Sequence, residues 1–343
     1  MRILVTGGAG FIGSEYVRSA LRGDLPGSAG VHVTVLDLLT YSGNPANLEE
    51  VRDHPRFRFV QGDTSDPVVV DEVVAGHDVI VHFAAETHVD RSIASAARFV
   101  QTNVLGTQVL LEAADRHRVS RFVHVSTDEV YGSIPEGTWT ERSPVAPNVP
   151  YAAAKAGSDL LALAWHRTRD LDVVVTRCTN NYGPHQYPEK VIPLFVTNLL
   201  DGLRVPLYGD GRNVRDWLHV SDHCRAIQLV LLGGRAGEVY HVGGGTELTN
   251  RELTDRLLRA CGAGWDMVDH VPDRPNHDLR YSLDITKIRE ELGYAPRVPL
   301  ERGLAETVAW YRDNRAWWEP LKNAAPAVAG RGLPRRAARR VTA

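Results

Sequence analysis

The chain has 343 residues, of which 43% are hydrophobic and 24% charged, and its net charge is −3. This composition predicts a soluble α/β protein with one large unit or two domains, and no apolar run approaches the ~20 residues of a membrane helix. Residues 324–343 carry five arginines and no acidic residue, which leaves the rest of the chain at −8. A mildly acidic body argues against nucleic acid as a partner.

The three cysteines, Cys178, Cys224 and Cys261, are odd in number and widely spaced. This pattern is typical of reduced thiols in a cytoplasmic protein, and it predicts neither a disulfide framework nor a metal site.

The N-terminal segment predicts a dinucleotide-binding turn. Residues 2–6 (RILVT) form an apolar strand, residues 7–13 (GGAGFIG) a glycine turn, and residues 14 to about 22 a helix. Glycines in this context let a pyrophosphate approach the helix N-terminus. The next strand, 31–36, ends in Asp37, whose carboxylate would accept from both ribose hydroxyls and repel a 2′-phosphate. The sequence therefore favours NAD over NADP.

Two further strands are predicted at 57–61 and 78–83, and one long helix between 96 and 117. Asn103 in this helix is either a surface residue or a support for the sheet edge. Asp63 follows the first of these strands and is placed to accept from an adenine amino group, although a turn-capping aspartate would look the same. Residues 84–85 are both alanine, and their small side chains follow the second strand where a dinucleotide would cross the sheet edge.

A hydroxyl and two adjacent carboxylates follow the next strand. Residues 121–125 (RFVHV) predict a buried strand, and Thr127, Asp128 and Glu129 come directly after it. They are expected at the carboxyl edge of the sheet, where open α/β folds bind their ligands. An exposed turn with two acidic residues is the alternative.

Tyr151 and Lys155 lie four residues apart in a helical pattern that begins near residue 148, so they share one face of the helix. A packed tyrosine beside a solvated lysine is the alternative for this pair taken alone. A neighbouring ammonium would lower the phenol pKa from its usual value of about 10. Such a phenol can take a proton from a sugar hydroxyl while hydride leaves the same carbon.

The expected fold is a Rossmann-type doubly wound parallel sheet (α/β) with a smaller α/β lobe that binds the substrate. We expect residues 1–177, with short returning segments from about 214 to 245, to form the NAD-binding domain. From residue 178 short elements are broken by Pro and Gly, which predicts a substrate-binding lobe at 178–323. Its last helix is expected from residue 300 to about 318. Residues 324–343 lack apolar periodicity and are expected to be disordered.

The chain resembles the extended short-chain dehydrogenase/reductase family of nucleotide-sugar enzymes, and within it most closely the dTDP-glucose 4,6-dehydratases. The resemblance covers residues 1 to about 320 and departs from the pattern only at flanking positions. Its motifs are HVDRSI at 88–93, TDEVYG at 127–132, RCTNNYGP at 177–184, PEK at 188–190, PLYGDG at 206–211, RDWLH at 215–219 and DRP at 273–275.

The resemblance implies a site for NAD, a site for dTDP-glucose and a homodimer built from the helices near 98–115 and 148–168. The implied NAD contacts are Gly7, Gly10, Phe11, Ile12, Gly13, Asp37, Thr40, Asp63, Thr64, Ala84, Ala85, Thr102, Tyr151, Lys155 and Asn181. The implied substrate contacts are Thr87, Thr127, Asn180, Glu189, Lys190, Val191, Pro206, Tyr208, Arg215, Asn250, Arg274 and His277. Of these, Arg215 and Arg274 are expected on the diphosphate, because guanidinium binds phosphate oxygens bidentately.

The resemblance also implies the catalytic roles. Tyr151, helped by Lys155 and Thr127, takes the C4 hydroxyl proton while hydride passes to NAD. Glu129 then removes the C5 proton, Asp128 protonates the departing C6 hydroxyl, and the hydride returns to C6 while a proton is added at C5. Asp128 must therefore carry a proton near neutral pH, and both partial burial and repulsion from Glu129 raise its pKa.

Three rival interpretations remain at this point. A nucleotide-sugar 4-epimerase would share the cofactor and Tyr151, but it has no use for Asp128 and Glu129. A 4,6-dehydratase could act on another nucleotide glucose, since the base is implied by resemblance alone. A regulatory protein that senses NAD without chemistry would be expected to lack Tyr151 or Lys155, and both are present.

Overall fold

The computed structural model describes residues 1–274 and 276–324. Its strands are β1 (Arg2–Thr6), β2 (His32–Asp37), β3 (Phe57–Gln61), β4 (Val79–His82), β5 (Arg121–Thr127), β6 (Val173–Cys178), β7 (Asn180–Tyr182), β8 (Val205–Tyr208), β9 (Val214–His219), β10 (Val239–Val242), β11 (Glu247–Thr249) and β12 (Val268–Val271). The predicted tail beyond residue 324 lies outside the described residues.

Helices separate most of these strands. They are α1 (Phe11–Arg22), α2 (Pro67–Val74), α3 (Val89–Ala94), α4 (Ala97–Phe99), α5 (Gly106–Arg116), α6 (Pro150–Arg169), α7 (Val191–Leu200), α8 (Val220–Gly233), α9 (Asn250–Ala260), α10 (Thr286–Leu292), α11 (Leu300–Asp313) and α12 (Arg315–Ala324). Short 3₁₀ turns lie at Pro45–Val51, Asp128–Tyr131 and Trp265–Met267, and one π-helical turn lies at Val100–Leu105.

Seven strands form the central sheet, in the order β10-β6-β5-β4-β1-β2-β3. Every neighbouring pair in it is parallel. From β1 the chain adds β2 and β3 on one side of the sheet and then β4, β5, β6 and β10 on the other side. The loops after β1 and β4 therefore diverge and leave a crevice at the carboxyl edge. The predicted doubly wound parallel sheet is confirmed.

Helices cover both faces of this sheet, and the strands are therefore apolar on both sides. In β1, Ile3 and Val5 pack into the core beneath α1 and α8, while Leu4 packs into the core beneath α2, α5 and α6. This two-sided burial explains why the strands read as continuous apolar runs rather than as alternating patterns.

Beyond β6 the chain builds a second packed region with its own core. A three-stranded sheet has the order β11-β9-β7, and β12 pairs with β8. These strands pack against α7, α9, α11 and α12 around a core that includes Tyr182, Trp217 and Trp318. Segment 214–245 is divided between the two regions, because β9 joins the smaller sheet and β10 forms the edge of the central one.

Two predicted helices differ from the structure. The single helix expected at 96–117 is divided by the π-helical turn Val100–Leu105. This turn directs Asn103 inward, where its side chain accepts from Glu86 N at 2.8 Å and donates to Glu86 O at 3.1 Å. The helix expected from residue 300 to about 318 is divided at Asn314 into α11 and α12.

Within the described residues, no helix combines the length and apolar character needed to cross a bilayer. No group of three His, Cys, Asp or Glu side chains in the same part of the chain is arranged to hold a metal ion.

Buried histidines predict an acid-sensitive fold. His82, His124 and His223 are at most 1% exposed, and burial lowers the pKa of His124 to about 4 and that of His223 to about 3. In the unfolded chain the pKa is about 6.5, so the unfolded state binds more protons below that pH, and stability falls as pH falls. Each such histidine costs about 1.4 kcal/mol at a pH about one unit below 6.5.

We therefore expect the thermal midpoint to fall steeply between pH 7 and pH 5. Differential scanning calorimetry across this range measures the slope. His124→Asn should reduce the slope, whereas a control substitution at the exposed His32, His32→Gln, should leave it unchanged. A midpoint that does not vary with pH would contradict the expectation.

Candidate active site

A cleft, called here the sheet-edge cleft, follows the carboxyl edge of the central sheet. All the residues predicted to contact NAD line it: Gly7, Gly10, Phe11, Ile12, Gly13, Asp37, Thr40, Asp63, Thr64, Ala84, Ala85, Thr102, Tyr151, Lys155 and Asn181. The catalytic candidates Thr127, Asp128 and Glu129 line the same cleft. The structure therefore brings together side chains that lie far apart in the sequence.

The glycine turn forms one end of the sheet-edge cleft. Gly7 has a φ of +69°, and a Cβ there would lie 2.6 Å from Ala84 N. A Cβ on Gly13 would lie 2.3 Å from Gly7 O. Gly10 precedes α1, so the free N–H groups of the first helical turn face the cleft, an arrangement that fits a pyrophosphate.

Asp37 lies at the end of β2 and is 8% exposed. Its Oδ2 accepts from Ala9 N at 2.9 Å and its Oδ1 from Leu39 N at 2.8 Å, while burial raises the pKa of the carboxyl. Each carboxylate oxygen has a second lone pair for a ribose hydroxyl. Asp63 caps its own turn, since its Oδ1 accepts from the backbone N and the hydroxyl of Ser65, both at 2.8 Å.

Buried polar atoms without a hydrogen-bond partner among the described residues are concentrated in the sheet-edge cleft. Because buried polar groups are almost always satisfied, such a concentration marks a site for a polar ligand. The atoms are Tyr41 OH, Ser126 Oγ, Asp128 Oδ2, Thr179 Oγ1, Asn180 Oδ1, Gln186 Oε1 and Glu189 Oε1. The cradle of glycines, Asp37 and these atoms fits a dinucleotide with a second polar ligand beside it.

The adjacent acids follow β5 in a 3₁₀ turn. Thr127 caps the turn, because its Oγ1 accepts from Glu129 N at 3.2 Å and lies 3.3 Å from Asp128 Oδ1. Asp128 is 2% exposed. Burial, followed by the charge of Glu129, raises the pKa of Asp128 well above its usual value. The predicted rise in the pKa of Asp128 is confirmed in direction, with burial as the larger cause.

Glu129 has a different environment from its neighbour. Burial also raises its pKa, but the positive charges of Arg274, Arg215 and Lys190 act in the opposite direction. The two carboxyls therefore differ, because the pKa of Asp128 is raised well above its usual value, whereas three positive charges oppose the rise in the pKa of Glu129. Such a division suits one general acid and one general base in a single site.

Tyr151 and Lys155 lie on one face of α6, beside these acids. Burial and then the charge of Glu129 raise the pKa of Tyr151 well above its usual value, with a hydrogen bond from Thr127 acting in the opposite direction. The predicted net lowering of the phenol pKa is not found in the protein alone, because desolvation dominates. Lys155 Nζ donates to Val125 O at 2.8 Å, and burial lowers its own pKa to about 8.

Two supporting residues were not assigned a role from the sequence. Asp159 is fully buried and pairs with Arg177 Nε at 2.8 Å, and its charge raises the pKa of Lys155 against the effect of burial. The sequence signal for this role is its position one helical turn after Lys155, which places both side chains on the same face of α6. Asn103 holds the backbone of Glu86 at the sheet edge. The sequence was compatible with this role and with a surface position.

Five of the predicted substrate residues line the sheet-edge cleft: Thr87, Thr127, Asn180, Glu189 and Lys190. Lys190 Nζ donates to Thr87 O at 3.1 Å. Glu189 accepts from Arg91 Nη2 at 2.9 Å, and its side chain is only 5% exposed. This ion pair is partly buried, since the Arg91 side chain is 29% exposed, and the separate motifs did not predict it.

The two arginines predicted to bind the diphosphate approach from the second region. Arg215 is 5% exposed, donates to Val214 O at 2.7 Å and Asp278 O at 2.9 Å, and its guanidinium lies 4.2 Å from the Tyr281 ring centroid. Arg274 Nη1 lies 3.6 Å from Asp90. The positive charges of both arginines act to lower the pKa of Glu129, so the two side chains lie near the acid pair.

The remaining predicted substrate residues do not line the sheet-edge cleft. Val191 begins α7, Asn250 begins α9, and Pro206 and Tyr208 belong to β8. The ring of His277 lies 6.2 Å from that of Tyr208, edge to face, and its Nδ1 is 2.6 Å from Asp273 Oδ1. These residues lie in the second region of the protein, and their predicted contacts stay predictions.

Comparisons with known proteins agree with this geometry. The model of the GDP-mannose 4,6 dehydratase family matches residues 4–307. A dTDP-glucose 4,6-dehydratase of Streptomyces niveus is 76% identical over 323 residues, covering 94% of this chain and 96% of the relative. Another, of Streptomyces antibioticus, is 64% identical and covers 97% and 99%.

Solved structures give the same relationship. The dTDP-glucose 4,6-dehydratase DesIV of Streptomyces venezuelae, solved with NAD bound, has 64% identity and a TM-score of 0.93, covering 94% of this chain and 100% of that one. A UDP-glucose 4-epimerase of Thermotoga maritima has 33% identity and a TM-score of 0.85, covering 92% and 100%. The chain therefore belongs to the GDP-mannose 4,6 dehydratase family, within its group of dTDP-glucose 4,6-dehydratases.

Proposed function

We propose that this protein is an NAD-dependent dTDP-glucose 4,6-dehydratase, a hydro-lyase that converts dTDP-glucose to dTDP-4-keto-6-deoxyglucose. The observation that carries the proposal is the acid pair Asp128 and Glu129, buried in the same cleft as Tyr151 and the glycine turn. The names of the relatives support the reaction and the choice of dTDP as the nucleotide.

The glycine turn, Asp37 and Asn181 would hold NAD along the sheet edge. When bound there, NAD supplies the acceptor for the C4 hydride and the donor that returns it at C6. Asp37 accepts from the adenosine ribose hydroxyls and repels a 2′-phosphate, which supports NAD over NADP.

The first proton transfer belongs to Tyr151. Its phenol takes the C4 hydroxyl proton, with Thr127 within hydrogen-bonding reach of the same phenol. Lys155 is protonated at neutral pH, since its pKa is about 8, and its positive charge favours the phenolate. Burial alone disfavours the phenolate, so Lys155 is required to oppose that cost.

The elimination belongs to the acid pair. A ketone at C4 acidifies the C5 hydrogen, which Glu129 removes as a general base. Asp128, whose pKa is raised by burial and by the charge of Glu129, donates its proton to the departing C6 hydroxyl, and water leaves. The opposite tendencies of the two neighbouring carboxyls are what this step requires.

Cations and amides beside the acid pair would bind the diphosphate. Arg215, Arg274 and Lys190 supply positive charge close to Glu129, and Asn180, whose amide Nδ2 can donate to a phosphate oxygen, lines the same cleft. Their separate origins on different loops suit an extended nucleotide sugar rather than a single phosphate.

Turnover of dTDP-glucose tests the proposal. The dehydratase should produce a compound with strong absorbance in alkali, typical of a 4-keto-6-deoxy sugar, at a rate above that with UDP- or GDP-glucose. Formation of dTDP-galactose without that absorbance would instead identify the rival 4-epimerase. This rival is considered because the fold is similar to that of the Thermotoga maritima epimerase.

We also propose a homodimer through the face formed by the π-helical turn and α6. Val100, Leu105 and Leu160 are large apolar side chains that are 53%, 48% and 52% exposed on this face. Burying such a surface against a second copy would be favourable.

A charge on this face should therefore separate the protomers. We expect Leu160→Arg to give a monomer by light scattering after gel filtration, whereas the wild type gives a dimer. Leu232→Arg is the matched control, because Leu232 is 50% exposed but lies on α8, away from this face. If the double variant Leu160→Arg with Leu105→Arg is still a dimer, this interface is ruled out.

A further inference from the structure

Helix α12, the last of the described helices, contacts the turn that follows β2 in the N-terminal part of the chain. Trp317 lies on α12, and its indole Nε1 donates to Asn47 Oδ1 at 3.0 Å. Asn47 belongs to the 3₁₀ turn Pro45–Val51, which follows β2. The contact joins the two ends of the described chain.

Asn47 also forms a hydrogen bond with the glycine turn. Its Nδ2 donates to Ala9 O at 2.9 Å, and Ala9 lies between the glycines of the turn. Ala9 N in turn donates to Asp37 Oδ2 at 2.9 Å. An unbroken series of hydrogen bonds therefore runs from the Trp317 indole through Asn47 and Ala9 to the carboxylate proposed for the ribose.

The series is buried at Asn47 and Ala9 and half-buried at Trp317, and further contacts hold it in place. Asn47 is 3% exposed and Ala9 is fully buried, and Asn47 O accepts from Arg18 Nη1 at 2.6 Å. The Trp317 ring lies 5.0 Å from the Trp310 ring and 5.5 Å from that of His185, both edge to face. These contacts fix the direction of the indole N–H.

We propose that Trp317 and Asn47 are positioning residues for the dinucleotide, acting through the Ala9 peptide on the glycine turn and on Asp37. The proposal rests on the proposed function. A peptide between glycines has few side-chain contacts to orient it, so its orientation depends on hydrogen bonds at its carbonyl and N–H. Asn47 Nδ2 supplies one of these bonds, and the Trp317 N–H determines which way the Asn47 amide faces.

The experiment measures NAD affinity directly, by calorimetry on cofactor-stripped full-length protein. Trp317→Phe keeps one aromatic ring in the cluster and removes the indole N–H. We expect it to weaken NAD binding by about 3- to 10-fold, the effect of one buried hydrogen bond. Trp310→Phe removes an indole N–H from the same aromatic cluster without touching Asn47, and it should leave NAD affinity unchanged.

Substitutions at Asn47 separate the two halves of the series. Asn47→Asp keeps the acceptor for Trp317 but replaces the donor to Ala9 O with an oxygen. It should weaken NAD binding at least as much as Trp317→Phe does. With saturating NAD, all these variants should retain the wild-type KM for dTDP-glucose, because none of these residues touches the acid pair.

A merely structural role would give a different result. In that case the thermal midpoint would fall in Trp317→Phe and Trp310→Phe alike, while NAD affinity stayed at the wild-type value, and the proposal would be overturned. If the wild-type protein itself does not bind NAD, the proposed function fails rather than this inference alone.

Discussion

Replacing both members of the acid pair, Asp128→Asn with Glu129→Gln, should abolish the keto-deoxy product and leave C4 oxidation intact. Both substitutions keep the shape of the side chain and remove its ability to move a proton. Each general acid or base contributes about 10²- to 10⁴-fold to a rate, so product formation should fall by at least about 10²-fold. Tyr151 and Lys155 are untouched, so the first step should still proceed.

Two optical signals distinguish these steps. Adding dTDP-glucose to the double variant should build up the absorbance of reduced nicotinamide, while the alkaline absorbance of the product stays at background. The single variants serve as controls, because Glu129→Gln should also stop exchange of the C5 hydrogen with deuterated solvent. Product formation by the double variant at the wild-type rate would show that the acids have been given the wrong roles.

Tyr151→Phe should stop the reaction before either signal appears. The substitution removes only the phenol oxygen and keeps the ring, whose centroid lies 6.4 Å from that of Phe99. Without a base for the C4 hydroxyl, we expect turnover to fall by about 10²- to 10⁴-fold, with no reduced nicotinamide during turnover. This result differs from that of the acid-pair variant, in which reduced nicotinamide accumulates.

The control for Tyr151→Phe is binding. The nucleotide sugar is held by groups on other loops, including Arg215 and Arg274, so calorimetric affinity for dTDP should remain near the wild-type value. If Tyr151→Phe still reduces the bound cofactor on addition of dTDP-glucose, another group takes the C4 proton.

The sheet and the contents of its cleft could be predicted because they depend on local signals. The apolar runs of β1 to β6 are long enough to identify strands, and the glycine turn lies between a strand and a helix. Parallel strands present their carboxyl ends at one edge. Asp37, Asp128 and Tyr151 could therefore be expected to meet without any knowledge of side-chain packing.

The features that were missed depend on burial or on contacts distant in sequence. The π-helical turn at Val100–Leu105 keeps a helical composition, so periodicity alone does not reveal it. The raised pKa of Tyr151 results from desolvation, and a four-residue spacing to Lys155 carries no information about burial. The bond between Trp317 and Asn47 joins residues 270 positions apart, beyond the range of any local pattern.

The most direct test of the proposed mechanism follows one hydrogen atom. We would incubate the enzyme with dTDP-glucose carrying deuterium at C4 and locate the label in the product by NMR. Oxidation, elimination and return of the hydride within one cleft predict that the deuterium is found in the C6 methyl group of the same molecule. Deuterium that remains at C4, or that is lost to the solvent, would contradict the mechanism.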